Sequence, residues 1–233
     1  MGTEVDAEVD FAQLFRRKRP EIRRTGTGEM VAEVLRQGIF DGDMPPGTQL
    51  AEGALAESLQ ISRNSLREAF RLLAHERLIT HTLHRGVFVR RLNRQDVMDV
   101  YTARIFIEVA AARDCPPEHP GIITALTAVQ RAEEAALLSD WSQVAGCNLA
   151  FHQALVSSVE SRRVSEVTRE LLAEVRLAFH AMADSRAFLE PYIARNRLIA
   201  ETIRTGDSAQ AAALMRNYLL DSRDQLAAAV EPY

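Results

Sequence analysis

Long hydrophobic runs and cysteines are scarce in this chain, and each shortage excludes a class of protein. The 233 residues contain no apolar run of 18 or more, so the sequence predicts no transmembrane helix. The first ten residues, MGTEVDAEVD, are acidic and differ from a secretory signal peptide. We therefore expect a cytoplasmic protein with no membrane partner.

The two cysteines, Cys115 and Cys147, are too few for a disulfide framework and lack metal-type spacing. Cys115 lies in the loop-like segment CPPEHPG and Cys147 on an apolar helix. Free cysteines usually pack as small hydrophobic residues. We expect no functional role for either thiol.

Charge is divided unequally along the chain, although the net charge is only −4. Residues 11–94 hold 15 Lys and Arg against 9 Asp and Glu, whereas residues 95–233 hold 13 against 19. Such asymmetry is typical of a chain in which one domain contacts phosphates. Residues 1–26 are predicted to be a charged, flexible tail. Its basic stretch Phe15–Arg24 is either a solvated segment or an arm that follows a DNA backbone.

Residues 27–91 show the pattern of a small DNA-binding domain. Apolar residues at helical spacing predict a helix from Met30 to near Gly42, a short helix through Leu55, and a third helix from Ser62 to about Glu76. Two β-stretches follow, joined by a turn at residues 84–86. Three helices and a β-hairpin predict a winged helix-turn-helix, whose third helix enters a DNA major groove.

The stretch ISRNSLREAF carries the predicted DNA contacts. Ser62 caps the helix, and Arg63 and Arg67 project from one side of it, with Leu66 and Phe70 on the buried side. Arginines at a helix N-terminus suit base edges and phosphates. The predicted partner is double-stranded DNA, and the candidate contacts are Ser62, Arg63, Asn64, Ser65, Arg67, His84, Arg85 and Gly86.

The segments PPGTQL, ALAESLQISRNSLREAFRLLAHERLI and HRGVFVR resemble the DNA-binding domain of the GntR family of bacterial transcription regulators over residues 38–90. The resemblance implies that Arg63, Asn64, Ser65 and Arg67 contact the operator. It also implies that the wing, residues 84–86, contacts the minor groove or the backbone. The chain departs from the family at one position. Gly53, which follows Glu52, stands where members often carry a basic residue.

A linker at residues 92–95 precedes a predicted all-α bundle at residues 96–229, so the fold class is mainly α. Six helices are expected, at 95–113, 120–138, 142–159, 161–184, 187–205 and 208–229. The segments YTARIFIEVAAA, NLAFHQALVSS and RNRLIAETIRTGDSAQAAALMRNYL resemble the FCD ligand-binding domain of the FadR branch of this family. That domain senses a small molecule.

Polar residues interrupt the apolar faces of these helices. Asn148 and His152 stand four apart on one face, Asn196 lies among apolar residues, and Arg104 stands one turn before Glu108. Burying such groups without partners costs about 1–3 kcal/mol each, so they line a cavity or bind one another.

The resemblance implies a metal site in many FCD domains, built from one Asp and three His. The aligned positions are Asn148, His152, Asn196 and Tyr218, so only His152 survives as a strong ligand. We expect no metal and no other cofactor.

The remaining groups, which are Arg104, Asn148, His152, Asn196 and Tyr218, are hydrogen-bond donors that suit an organic anion, with Arg104 binding its carboxylate. Two alternatives stay open: a closed cluster in which Arg104 pairs with Glu108, and a larger acyl ligand.

We therefore predict a homodimeric, effector-responsive transcription regulator that acts as a repressor and binds an inverted-repeat operator. The alternatives are a metal-dependent helical enzyme fused to a DNA-binding module and a DNA-binding dimer without an effector. The enzyme needs a metal set or an activated nucleophile, and the sequence offers neither.

Overall fold

The computed structural model describes residues 27–230, and the chain divides into two compact units between Arg91 and Leu92. The tail predicted at residues 1–26, including its basic stretch, lies outside the described residues. Each unit is described separately below.

Three helices form the body of the first unit: α1 (Thr27–Asp41), α2 (Glu52–Ser58) and α3 (Arg63–His75). Helices α1 and α3 pack together, and an ion pair of 2.6 Å between Arg36 and Glu76 joins them at the edge of the contact. Their apolar residues recur at helical spacing and are buried, namely Val31, Leu35, Ile39, Leu66, Phe70 and Leu73. The polar side of α3 is therefore left exposed.

A β-hairpin completes the first unit. Strands β1 (Ile79–Thr82) and β2 (Gly86–Val89) are antiparallel, with Ile79 opposite Val89. The segment before α2 lies along β2, because the Gly47 N–H donates to the Val89 carbonyl over 2.8 Å. These elements form a winged helix-turn-helix, which confirms the prediction.

The second unit is a bundle of six helices, which confirms the predicted all-α class. Side chains of Asn93, Asp140, Ser161, Asp184 and Asp207 cap five of the helices by accepting backbone N–H groups. The helices are α4 (Arg94–Asp114), α5 (Pro120–Leu137), α6 (Trp141–Val156), α7 (Arg162–Phe179), α8 (Ser185–Arg204) and α9 (Ser208–Ala229). Helix α6 contacts α4, α5, α7 and α8, so its side chains reach the middle of the bundle. Across residues 27–230, no helix is long and apolar enough to cross a membrane.

Two helix ends differ from the sequence prediction. Helix α6 stops at Val156, and a single 3₁₀ turn leads to Glu160, whose φ of +52° lies in the left-handed region. Helix α7 ends at Phe179 and not near residue 184, because the Asp184 carboxylate accepts the Ala187 N–H and so begins α8. In both cases the next helix begins at its own capping residue, which is Ser161 for α7 and Asp184 for α8.

Gly47 generates a prediction about the stability of the first unit. Its φ is +92°, and a Cβ at this position would collide with the side chain of Arg91. Gly47→Ala should therefore destabilise the first unit by about 1–3 kcal/mol. Urea unfolding followed by circular dichroism measures the change, while Trp141 fluorescence reports the second unit separately.

Gly53→Ala is the matched control. No atom lies within 4 Å of a Cβ built at Gly53, and the residue is in α2. Alanine favours a helix over glycine by about 0.5–1 kcal/mol, so this variant should be neutral or slightly stabilising. An equal loss of unfolding free energy in Gly47→Ala and Gly53→Ala would contradict the role of the positive φ at Gly47.

Candidate functional site

The N-terminal end of α3 forms an exposed polar surface. Ser62 caps the helix, since its Oγ accepts the Ser65 N–H over 3.1 Å, and the two hydroxyls lie 2.9 Å apart. Arg63 and Asn64 follow the cap and are exposed. The first turn therefore presents a guanidinium and an amide beside the positive end of the helix dipole. Ser65 is half-buried and contributes to the cap.

Arg67 in the second turn is held by an acidic neighbour. Its Nε donates to Glu52 Oε2 of α2 over 3.2 Å, and both side chains are exposed. Exposed ion pairs of this kind contribute about 0–1 kcal/mol. Arg67 can therefore exchange Glu52 for a stronger anionic partner, and until then Glu52 limits the orientations of its guanidinium. In the sequence, Glu52 is notable only as the neighbour of a missing basic residue.

The wing turn is supported by a residue that the sequence analysis did not single out. His84 and Gly86 have φ of +60° and +105°, and the exposed turn also carries Arg85. The side-chain amide of Gln49 donates to the Arg85 carbonyl over 2.9 Å. Gln49 thereby fixes the turn from the neighbouring extended segment. Gly86 supplies the positive φ that the turn requires.

A chain of buried charged groups lies in the second unit. Glu108 accepts a hydrogen bond from Arg104 Nε over 2.6 Å, and its second oxygen lies 2.5 Å from His152 Nδ1. All three side chains are at most 2% exposed. Arg104 also lies over the ring of Tyr101, with 4.7 Å between the guanidinium carbon and the ring centroid.

The protonation states of this chain follow from its geometry. Burial alone would raise the pKa of Glu108, but the charge of Arg104 and the hydrogen bonds from Arg104 and His152 hold that pKa at about 2. Burial lowers the pKa of His152 by more than the attraction of Glu108 raises it. At neutral pH, Glu108 is ionised and His152 is neutral, with its proton on Nδ1. The Nε2 atom of His152 is therefore an acceptor.

A second group of polar residues surrounds the imidazole. Asn148 Nδ2 donates to the Tyr218 hydroxyl oxygen over 2.6 Å, and the rings of His152 and Tyr218 lie 5.0 Å apart. Tyr192 of α8 stacks edge-on against Tyr218, with centroids 4.7 Å apart. Asn196 stands one turn after Tyr192 on the same buried face of α8.

We call this set, which comprises Arg104, Glu108, Asn148, His152, Asn196 and Tyr218, the buried polar cluster. It contains two unpartnered atoms, because neither His152 Nε2 nor Asn196 Oδ1 has a hydrogen-bond partner among residues 27–230. An unsatisfied buried polar atom costs about 1–3 kcal/mol. Both atoms can therefore accept a hydrogen bond from a bound water molecule or ligand.

The structure corrects the role that the sequence analysis gave to Arg104. Its guanidinium binds Glu108 through Nε, with a second contact of 3.4 Å through Nη2, so it is not a free fork for a carboxylate. The Arg104–Glu108 pair is one of the alternatives that the sequence leaves open, but no spacing in the sequence connects this pair to His152. The Tyr101–Ser222 hydrogen bond of 2.7 Å was not expected either, because no spacing links those two residues.

The donor set does not fit a divalent transition metal. Of the four positions that the family resemblance aligns, Asn148 and Tyr218 bind each other, and His152 supplies the one imidazole. Within residues 27–230, no three His, Cys, Asp or Glu side chains are grouped to hold an ion. Neutral amide and phenol oxygens are weak ligands for zinc or nickel.

Comparison with known families assigns each unit. Residues 27–89 match the model of the bacterial regulatory proteins, gntR family, and residues 99–221 match the model of the FCD domain. The two matches cover the unit with the exposed arginines and the unit with the buried polar cluster.

Relatives cover most of the chain. The crystal structure of a putative transcriptional regulator GntR from Rhodococcus sp. RHA1 is 35% identical, with a TM-score of 0.84 over 89% of this chain and all of that one. A probable D-xylose utilization operon transcriptional repressor of Paenarthrobacter nicotinovorans is 27% identical over 80% of this chain and 82% of its own. An uncharacterized HTH-type transcriptional regulator of Mycobacterium tuberculosis is 27% identical over 84% of this chain and 88% of its own.

The buried ion pair generates a prediction about stability. Glu108→Gln leaves the charge of Arg104 buried without a counter-charge and should destabilise the second unit by about 3–5 kcal/mol. The double variant Arg104→Met/Glu108→Leu removes both charges and should recover more than half of that loss. Chemical unfolding followed by Trp141 fluorescence measures both.

The exposed pair Arg162–Glu166 is the matched control, because it has the same four-residue helical spacing. Glu166→Gln should change the free energy of unfolding by less than about 0.5 kcal/mol. A double variant as unstable as Glu108→Gln alone would contradict the assigned cost of the unpaired charge.

Proposed function

Because the chain belongs to the GntR family of bacterial regulatory proteins and carries an FCD domain, we propose that this DNA-binding transcriptional regulator is a homodimer controlled by a small effector. The proposed effector binds in the buried polar cluster and changes the affinity for an inverted-repeat operator. The family and the relatives are transcriptional regulators, so the enzyme considered in the sequence analysis is excluded.

The proposed DNA contacts lie on the surface of α3 and on the wing. Arg63 and Arg67 are assigned to base edges and phosphates, and Asn64 and Ser65 to hydrogen bonds with either. Ser62 orders the turn that carries them, and residues 84–86 of the wing are assigned to the minor groove or the backbone. A two-fold dimer presents one recognition helix to each half-site, which accounts for the inverted repeat.

The observation that carries the effector proposal is the pair of unpartnered acceptors, His152 Nε2 and Asn196 Oδ1. A ligand that satisfies them has to donate hydrogen bonds. The Tyr218 oxygen already accepts from Asn148, so its hydrogen can be donated to the ligand. Two acceptors beside one donor suit a small organic acid that also carries hydroxyl groups. Arg104 then acts indirectly, by holding Glu108 against His152.

This assignment keeps the organic anion expected from the sequence and adds hydroxyl groups to it. No metal enters it, because the cluster offers one imidazole nitrogen and neutral oxygens. The relative named for a D-xylose utilization operon directs the first trials to sugars and sugar acids.

Effector binding is tested by a thermal-shift screen of hydroxy acids against their deoxy analogues. A ligand present at 100 times its Kd stabilises the native state by about 2.7 kcal/mol, so its effect on Tm is measurable. The hydroxy acid should raise Tm more than its deoxy analogue, and its addition should change affinity for an operator selected from random DNA. If a saturating ligand raises Tm but leaves operator affinity unchanged, the proposed coupling is wrong.

The matched variants are Asn196→Leu and Thr168→Val. Each removes a buried polar atom that lacks a partner among residues 27–230, and Thr168 lies on α7, outside the cluster. Asn196→Leu should abolish the ligand-induced shift, whereas Thr168→Val should preserve it. Loss of the shift in both variants would mean that the ligand does not bind at Asn196.

DNA recognition is tested by Arg67→Ala. If Arg67 reads a base, the variant should lose about 1–3 kcal/mol of operator binding and part of its preference over unrelated DNA. Arg71→Ala removes the same charge one turn further along α3 and should leave that preference unchanged. Fluorescence anisotropy at two salt concentrations measures both quantities. Equal operator binding by Arg67→Ala and the parent would remove Arg67 from the contact surface.

A further inference from the structure

The buried polar cluster carries no net charge with which to bind an anion. Arg104 and Glu108 neutralise each other, and His152 is neutral because burial lowers its pKa. A carboxylate buried against these groups would lack a counter-charge, which is costly in a protein interior. The organic acid of the proposed function therefore needs a cation at the edge of the cluster.

Arg195 of α8 lies at such an edge. Its guanidinium carbon is 5.2 Å from the ring centroid of Tyr192 and 5.2 Å from that of Tyr218. The two tyrosines are at most 3% exposed, whereas the Arg195 side chain is 31% exposed. The ring of Tyr218 also contacts the imidazole of His152. Arg195 therefore connects the cluster to the surface of the helical unit.

The counter-charge described for Arg195 is easily exchanged. Its Nη2 atom lies 2.9 Å from Oδ2 of Asp221 on α9, and the Asp221 side chain is 57% exposed. An ion pair this exposed contributes little to stability, because water solvates both charges when the pair is broken. Tyr192 does not supply a second counter-charge, since burial raises the pKa of its phenol to about 12. Another carboxylate can therefore take the place of Asp221 on Arg195.

Arg195 is close to the two acceptors that lack partners. Asn196 is the next residue on α8, and its Oδ1 atom has no hydrogen-bond partner among residues 27–230. The His152 imidazole and the Arg195 guanidinium carbon lie 5.0 and 5.2 Å from the centroid of the Tyr218 ring, so they are at most about 10 Å apart. A chain of about three to five carbons, with a hydrogen bond of roughly 2.8 Å at either end, bridges such a distance.

We propose that Arg195 binds the carboxylate of the effector, which displaces Asp221, while hydroxyl groups of the same molecule donate to Asn196 and His152. The inference rests on the proposed function, which places a hydroxy acid in the buried polar cluster, and adds the residue that recognises its charge. A planar guanidinium binds a carboxylate through two parallel hydrogen bonds. The ligand is thereby narrowed to a hydroxy acid of about three to five carbons, because a neutral polyol lacks the group that Arg195 binds.

The first test compares three hydroxy acids with the polyols of the same length. The pairs are D-glycerate with glycerol, D-erythronate with erythritol, and D-xylonate with xylitol, and isothermal titration calorimetry on the full chain measures each Kd. The parent should prefer an acid to its polyol. Arg195→Met removes the charge and should weaken binding of that acid about tenfold, which reduces the preference. Arg195→Lys should recover part of the loss, because it restores the charge without the planar fork.

Asp221→Asn tests the exchange in the opposite direction. It removes the charge that competes for Arg195, so the same acid should bind more tightly than it binds the parent. Arg197→Met and Glu133→Gln are the matched controls. Arg197 also lies on α8 and pairs with a partly exposed carboxylate, that of Glu133 on α5 at 2.7 Å. Both controls should bind the acid as the parent does.

The outcomes separate this inference from the proposed function. If none of the three acids binds the parent, the inference fails, and the proposed function fails with it only when the wider screen of hydroxy acids also finds no ligand. If Asn196→Leu abolishes binding of an acid but Arg195→Met does not weaken it, Arg195 is not the anion contact and the proposed function stands.

The remaining outcomes bear on Arg195 alone. Equal losses in Arg195→Met and Arg197→Met would overturn its assignment, because any ion pair on α8 would then matter as much. If Arg195→Met folds poorly, Asp221→Asn decides the question. Tighter binding of the acid by Asp221→Asn supports the exchange, and unchanged binding overturns it.

Discussion

The burial of the Arg104 guanidinium is the constraint on which the helical unit depends. A guanidinium stays charged at every pH of biological interest, so it can lie in a protein interior only beside a counter-charge. Glu108 supplies that charge from the next turn of α4, and its second oxygen binds His152 of α6. The carboxylate therefore does more than neutralise Arg104. It fixes the tautomer of His152 and thereby determines that Nε2 is left as an acceptor.

The two units use polar groups in opposite ways. In the first unit, Arg63, Asn64 and Arg67 are exposed, and the one ion pair described for Arg67 is weak enough to exchange for a phosphate. In the second unit, the polar groups are buried and bound to one another, so breaking a contact there is costly. The first arrangement suits a surface that binds many DNA sequences weakly before it binds an operator. The second suits a site that discriminates among small molecules, because an unmatched buried group penalises the wrong ligand.

Much of the fold was predictable because its signals are local. Ser62 followed by two arginines, the PPG turn and the short β-stretches each depend on a few neighbouring residues, and so do the helix caps of the second unit. The link from Glu108 to His152 was not predictable, because it spans 44 residues and is decided by how α4 packs on α6. The sequence therefore left two interpretations of Arg104 open, a donor to a ligand and a partner of Glu108 one turn away. The end of α7 was misjudged for a related reason, since Asp184 is compatible with helix but caps α8 instead.

Control of the DNA-binding unit by the cluster requires a path and enough free energy. In the proposed mechanism, helix α4 would provide the path, because it begins at Arg94, directly after the segment that joins the two units, and carries Arg104 and Glu108 further along. Its start is fixed by a capping box between Asn93 and Asp96, so a shift of the helix would also move the backbone of Asn93. A ligand changes DNA affinity only if it favours one arrangement of the protein over another. Satisfying two buried acceptors is worth about 1–3 kcal/mol each, which equals or exceeds the 1–3 kcal/mol typical of allosteric coupling. A ligand that satisfies both acceptors in one arrangement of the helices and loses one of them in the other would therefore supply enough free energy to control DNA binding.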